Sequence, residues 1–130
     1  MNVPQRTKAP DGDLTTFQRE AFTHDGVTHA IYRKGRGPAV LVIAEMPGIA
    51  PQLLGFADRV VALGATAVLP DLFGTAGRDP TAGSKLSASL YMLGSITRAC
   101  ISKEFTVFAI GRSSPITHWL RGLAASEHAR

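Results

Sequence analysis

Residues 40–73 read as two apolar runs joined by one amphipathic helix, and no other stretch constrains the fold as much. The runs 40–44 and 66–69 lack polar alternation, the pattern of parallel strands covered on both faces. Between them, Pro51 suits a first helical turn. Leu53, Leu54, Ala57, Val60 and Val61 then recur with helical spacing until Gly64 ends the helix. Asp58 and Arg59, on its other side, read as solvated charges. Strand, helix and strand make a right-handed βαβ unit, in which the second strand lies alongside the first. Ligands of open α/β sheets bind outside the carboxyl ends of the strands. Glu45 and Asp71 stand at those two ends.

The flanking segments fit around this unit. Residues 1–14 carry two prolines, a glycine and mixed charge without periodicity, and read as an N-terminal arm or irregular lead-in. Residues 15–22 and 27–32 favour strands, and Thr23-His24-Asp25-Gly26 between them supplies the Asp-Gly signal of a tight antiparallel hairpin. After Phe73 a run rich in glycine and small polar residues predicts a long loop at the C-terminal edge of the sheet. Residues 86–110 carry both signals, mostly helical spacing but a strand-like FTVFAI at 105–110. Ser114-Pro115 reads as an N-cap and a first-turn proline, followed by the apolar stripe Ile116, Trp119, Leu120 and Leu123.

Composition removes several function classes. The chain is 130 residues long and 45% hydrophobic, enough for one domain with a real core. Its 14 basic and 10 acidic residues give a net charge of +4. The basic residues do not gather into a patch or recognition motif, which argues against nucleic acid as a partner. One cysteine, Cys100, rules out an internal disulfide framework and fits a reducing compartment, so the expected location is cytoplasmic. No apolar run reaches the roughly 18 residues of a membrane helix. No glycine-rich phosphate loop follows a strand, and His24, His29, His118 and His128 lack metal-ligand spacing.

An acid directly after five apolar residues needs a reason to be there, because burying it unpaired is costly. Glu45 has two readings: a carboxylate at the mouth of an active site, with amides around Met46 able to bind an oxyanion, or a loop acid that caps the next helix or pairs with an arginine. Asp71 reads first as a turn former. Gly111-x-Ser113 is half of a G-x-S-x-G nucleophile elbow, but Pro115 stands where the elbow needs a small residue. Cys100 has no flanking glycines and reads as a structural thiol.

The segment AEMPGIAPQLLGFADRVVALGATAVLPDLFG resembles the dienelactone hydrolase family, which has the α/β-hydrolase fold. The match consists of Glu45-x-x-Gly48 after a strand, Ala57-Asp58-Arg59 on the helix, Gly64, and Pro70-Asp71-Leu72-Phe73 closing the next strand. It covers residues 15–80, and the remainder by position only. The expected fold class is therefore α/β, the N-terminal part of an α/β-hydrolase sheet: an antiparallel hairpin, then parallel strands with a crossover helix. The expected division is an arm at 1–14 and a partial hydrolase domain at 15–130.

The resemblance implies that Glu45 lies beside a nucleophilic cysteine and that Met46 gives a backbone donor to the oxyanion hole. The implied reaction is attack on a small carboxylic ester or lactone, an acyl-enzyme, and hydrolysis, with no cofactor. In the family the elbow G-x-C-x-G comes on the strand after the second helix, with the aspartate and histidine later still. None of the three has a counterpart in these 130 residues, so the chain alone is expected to be inactive and to carry an open sheet edge that invites self-association. The competing expectation is a non-catalytic α/β module that binds a partner or completes an assembly.

Overall fold

A computed structural model describes residues 11–45, 47–81, 83–101 and 114–130. Its first strands are β1 (Gln18–His24) and β2 (Val27–Gly35), paired antiparallel. Their turn is tighter than the four residues expected, only Asp25 and Gly26, with φ of 49° and 77°. Positive φ at both positions is the type I′ turn, whose twist matches that of the strands. His24 consequently ends β1 instead of lying in the turn. The strand also starts later than expected, because Leu14–Thr16 form one turn of 3-10 helix capped by Asp13.

Strand β3 (Ala39–Leu41), helix α1 (Pro51–Ala62) and strand β4 (Thr66–Pro70) form the βαβ unit, with β3 and β4 parallel. Beyond them lie helices α2 (Lys85–Ile101) and α3 (Pro115–His128). The sheet order is β1-β2-β4-β3, with β2 and β4 antiparallel. An antiparallel hairpin followed by parallel strands with a crossover helix is the arrangement expected of a partial α/β-hydrolase sheet.

Two cores sit on the two faces. Leu54 and Ala57 of α1 pack with Tyr32, Val42, Ala44, Ala67 and Leu69 on one face. On the other, Ile116, Trp119 and Leu123 of α3 pack with Ile31 and Val68. All five residues of β4 are buried, as a strand between two neighbours and two helices must be. The expectation of full coverage fails for β3. Among the described residues β3 is an edge, so Val40 is 40% and Ile43 52% exposed although the run is as apolar as β4.

Helix α3 is fastened at both ends. Near its start, Phe22 and His29, partners across β1 and β2, form a slot in which the Trp119 ring stands edge-on at 5.4 and 5.0 Å. The indole Nε1–H donates to the Phe22 carbonyl at 3.2 Å. Near its end, the Glu127 carboxylate accepts two hydrogen bonds from the Arg33 guanidinium of β2. Asp58 of α1 is not the solvated charge the sequence suggests, since Lys34 Nζ donates to it at 2.6 Å. Residues 11–14 lie against α1, with the Gly12 N–H donating to the Pro51 carbonyl at 2.9 Å.

Candidate functional site

The carboxyl ends of β3 and β4 are brought together by their loops. After β3 the chain turns back at once, the Gly48 N–H donating to the Glu45 carbonyl at 2.9 Å. Gly48 has φ of 146°, and a Cβ there would lie 2.3 Å from the Phe73 carbonyl oxygen. Gly74, at φ 60°, is as closely held, since its Cβ would lie 2.1 Å from the Pro47 oxygen. Each loop thus presses a glycine against the other's backbone, which no side chain permits. The Gly77 N–H adds a bond to the Ile49 carbonyl at 2.7 Å.

Helix α2 braces this junction. Ser95, buried, donates its hydroxyl to the Pro47 carbonyl at 3.0 Å. One turn earlier, Tyr91 Oη accepts from the Thr75 N–H at 2.9 Å. Neither residue stood out in the sequence. Their spacing of four, which puts them on one helix face, was the available signal.

From this fixed turn Glu45 projects into solvent. Among the described residues neither bland role is filled. The N-cap of α1 is Ala50, with no side-chain cap bond. The Glu45 carboxylate makes no hydrogen bond or ion pair with any described side chain. Met46, the expected oxyanion donor, lies outside the described residues.

A cavity of about 250 Å³ borders the junction, lined by Gly74, Thr75 and Arg78 from the loop and by Tyr91, Ser95 and Arg98 from α2. The Arg78 guanidinium stacks 3.9 Å above the Tyr91 ring. Such stacking leaves the in-plane donors of the guanidinium free to meet a planar anion. The fold thus sets Arg78 and Arg98 on one cavity.

Asp71 extends the β2–β4 ladder, its N–H donating to the Ala30 carbonyl at 2.9 Å. Burial raises its carboxyl above the ordinary range, opposed by the charges of Arg19 and His29. Those residues belong to β1 and β2, whereas Glu45 follows β3 on the opposite side of β4. The two strand-end acids therefore do not form a pair.

Ser113 lies outside the described residues, as does the strand-like run at 105–110, and Cys100 is described only as backbone of α2. His118 and His128 are exposed on α3. Among the described residues no group of three His, Cys, Asp or Glu is placed to hold a metal ion. No helix among them is long and apolar enough to cross a membrane.

No family model and no curated protein matches the chain. Among solved structures it is similar to the epoxide hydrolase VrEH1 from Vigna radiata, at 20% identity over 66% of this chain, with a TM-score of 0.37. It is similar also to a Vigna radiata epoxide hydrolase mutant, at 18% identity over 69% of this chain, with a TM-score of 0.35. The chain spans only 27% and 29% of the length of those two proteins.

Proposed function

We propose that this chain carries part of the site of a hydrolase acting on small carboxylic esters or lactones, with Glu45 as its acid and the Met46 backbone as one oxyanion donor. The observation that carries the reading is the Glu45 carboxylate, exposed at the carboxyl end of β3 on a turn braced from two sides, yet bonded to no described side chain. A reactive nucleophile brought beside it would meet a carboxylate carried on a fixed backbone. The cavity lined by Arg78 and Arg98 favours substrates that carry a carboxylate besides the scissile group. The single cysteine fits a cytoplasmic place of action.

The same reading gives the chain itself no turnover, since the nucleophile, orienting aspartate and base are not among its recognisable motifs. Hydrolysis of a small activated ester by the purified chain is the test. The expected rate is that of buffer, and a turnover lost in Ser113→Ala or Cys100→Ala would overturn it. Sequencing the reading frame beyond Arg130 provides a second test. A strand and a G-x-C-x-G elbow within about twenty residues support the hydrolase. An intact gene without them favours a binding or assembly module, a reading that also draws on β3 being an edge among the described residues.

A further inference from the structure

Residues 11–17 lie across the start of α1 and reach the junction that carries Glu45. Gly12 is seated on the helix itself. Its N–H donates to the Pro51 carbonyl at 2.9 Å, and a Cβ there would lie 2.5 Å from the Leu54 carbonyl carbon and 2.6 Å from the Gly55 nitrogen. Backbone thus rests directly on backbone, and a side chain at position 12 would lift the segment away.

The next residues are shaped by their own bonds. Asp13 Oδ1 accepts from the Thr15 N–H at 2.9 Å, and the Thr16 hydroxyl donates to the Asp13 carbonyl at 2.7 Å. Within this single turn Leu14 packs against the α1-face core, as does Ala76 of the loop after β4. Phe17, 7% exposed, anchors the end of the segment in the same core. Lys34 Nζ lies 5.0 Å from the centroid of the Phe17 ring and donates both to Thr16 Oγ1, at 2.9 Å, and to Asp58.

Gly77 links this segment to the site. The Leu14 side chain sits so close to it that a Cβ on Gly77 would lie 3.1 Å from Leu14 Cδ2. The Gly77 N–H in turn donates to the carbonyl of Ile49, a buried residue next to Gly48, whose own N–H closes the Glu45 turn. Leu14, Gly77, Ile49 and the Glu45 turn therefore form one unbroken run of direct contacts.

We propose that residues 11–16 are a strap that holds the Glu45 junction closed, so that the two loops part only when the strap leaves α1. Contacts that must break together define one local opening unit. The loop after β4 cannot leave Ile49 without uncovering Leu14, and Leu14 cannot follow it while Gly12 and Phe17 remain seated. The rigidity of the turn beneath Glu45 is then set by the N-terminal segment as well as by Ser95 and Tyr91 of α2, and a molecule that displaces residues 11–16 would loosen the carboxylate without touching it. The bearing on hydrolysis rests on the reading of Glu45 proposed above; the coupling of strap and junction does not.

Amide hydrogen exchange of the whole chain, resolved by NMR under conditions where closing outruns exchange, tests the coupling, with a urea titration of each variant beside it. Gly12→Ala collides with α1, and Leu14→Ala removes the side chain that covers Gly77. Each should make global unfolding about tenfold more favourable. The Gly48 and Gly77 amides should then exchange faster by the same factor as global unfolding, because the lost contact is one that their own opening must break. The Ala129 N–H, bonded to Ala125 at the frayed end of α3, should exchange at the parent rate. Should Leu14→Ala fail to fold, Leu14→Val gives the same comparison at about threefold. Lost stability with Gly48 and Gly77 at their parent rates would show that the junction opens with the strap in place, and would overturn the proposal. So would variants of parent stability, or an acceleration that reaches Ala129 equally. Exchange is read without substrate, so an absent esterase activity leaves the outcome unaffected.

Discussion

Replacing Glu127 with glutamine tests how α3 is held to the sheet. The Glu127 side chain is 5% exposed and that of Arg33 13%, and they meet in a forked pair with one bond at 2.6 Å. Glutamine keeps the shape and removes the charge, leaving a buried guanidinium. Glu20 offers partial compensation, its carboxylate 3.2 Å from Arg33 Nε, but Nε makes no aligned hydrogen bond there. Breaking one side of a buried pair costs about 3–5 kcal/mol, and the residual attraction of Glu20 places the expected loss near the lower figure, about 3 kcal/mol. With about 2.1 cal/mol/K of unfolding entropy per residue, that lowers Tm by about 11 °C for a chain of this length. Urea titration followed by Trp119 fluorescence measures it, as that indole is buried on the same helix. The acid limb gives a second signature. The hydrogen bond from Arg33, chiefly, holds the Glu127 carboxyl below the usual glutamate range. An acid depressed in the folded state stabilises above its unfolded value and loses that contribution as pH falls through the folded one. The difference between parent and Glu127→Gln should therefore shrink below about pH 4. Replacing both partners, as Arg33→Met with Glu127→Leu, should recover only part of the loss, because Glu20 then keeps Arg130 alone, at 3.7 Å. A Glu127→Gln chain within about 0.5 kcal/mol of the parent at neutral pH would refute the clamp.

Three further substitutions probe the junction and the core. Gly74→Ala meets both positive φ and the Pro47 oxygen at 2.1 Å and should cost more than about 2 kcal/mol. Gly64→Ala, at φ 87° with open space around it, should cost only about 1 kcal/mol, and equal losses in denaturant titrations of the two would remove the interlock from the account. Trp119→Phe should lose about 2 kcal/mol, through an emptied slot and an unpaired Phe22 carbonyl, read as a fall in Tm without change in far-ultraviolet circular dichroism. Asp71→Asn runs the other way. A carboxyl raised by burial destabilises once ionised, so stability falls as pH rises from the unfolded to the folded value. Asparagine should raise stability by about 0.5 kcal/mol at pH 7, the gain being small for a half-exposed group, and by nothing below about pH 4; a loss at pH 7 would show that the charge is used.

What the sequence made legible follows from which features carry a period. Leu54 and Ala57 recur at helical spacing, β4 is an unbroken apolar run, and Asp25-Gly26 names its own turn, so the hairpin, α1 and the parallel pair could be read locally. The edge position of β3 could not. Five apolar residues look the same whether a strand has one neighbour or two, and only the order β1-β2-β4-β3 leaves Val40 and Ile43 uncovered. The slot for Trp119 depends on register, since Phe22 faces His29 only because the turn has two residues where four were expected.

The candidate site divides along the same line, and the division bears on what Glu45 is for. The acid itself announced its position, because a charge after an apolar run is a local anomaly. Its supports did not: Ser95 reaches Pro47 across 48 residues of sequence, and Gly48 and Gly74 matter for what would collide with them. Glycines, a serine and a tyrosine hydroxyl have no periodic signature. Yet these supports hold a turn whose carboxylate caps no helix and joins no ion pair among the described residues. Positive φ and close backbone contact constrain the chain at both glycines. A structural acid would offset part of that cost through a partner of its own. Among the described residues Glu45 has none, and an acid on a fixed backbone without a partner there fits a group positioned for something that arrives from outside the described fold.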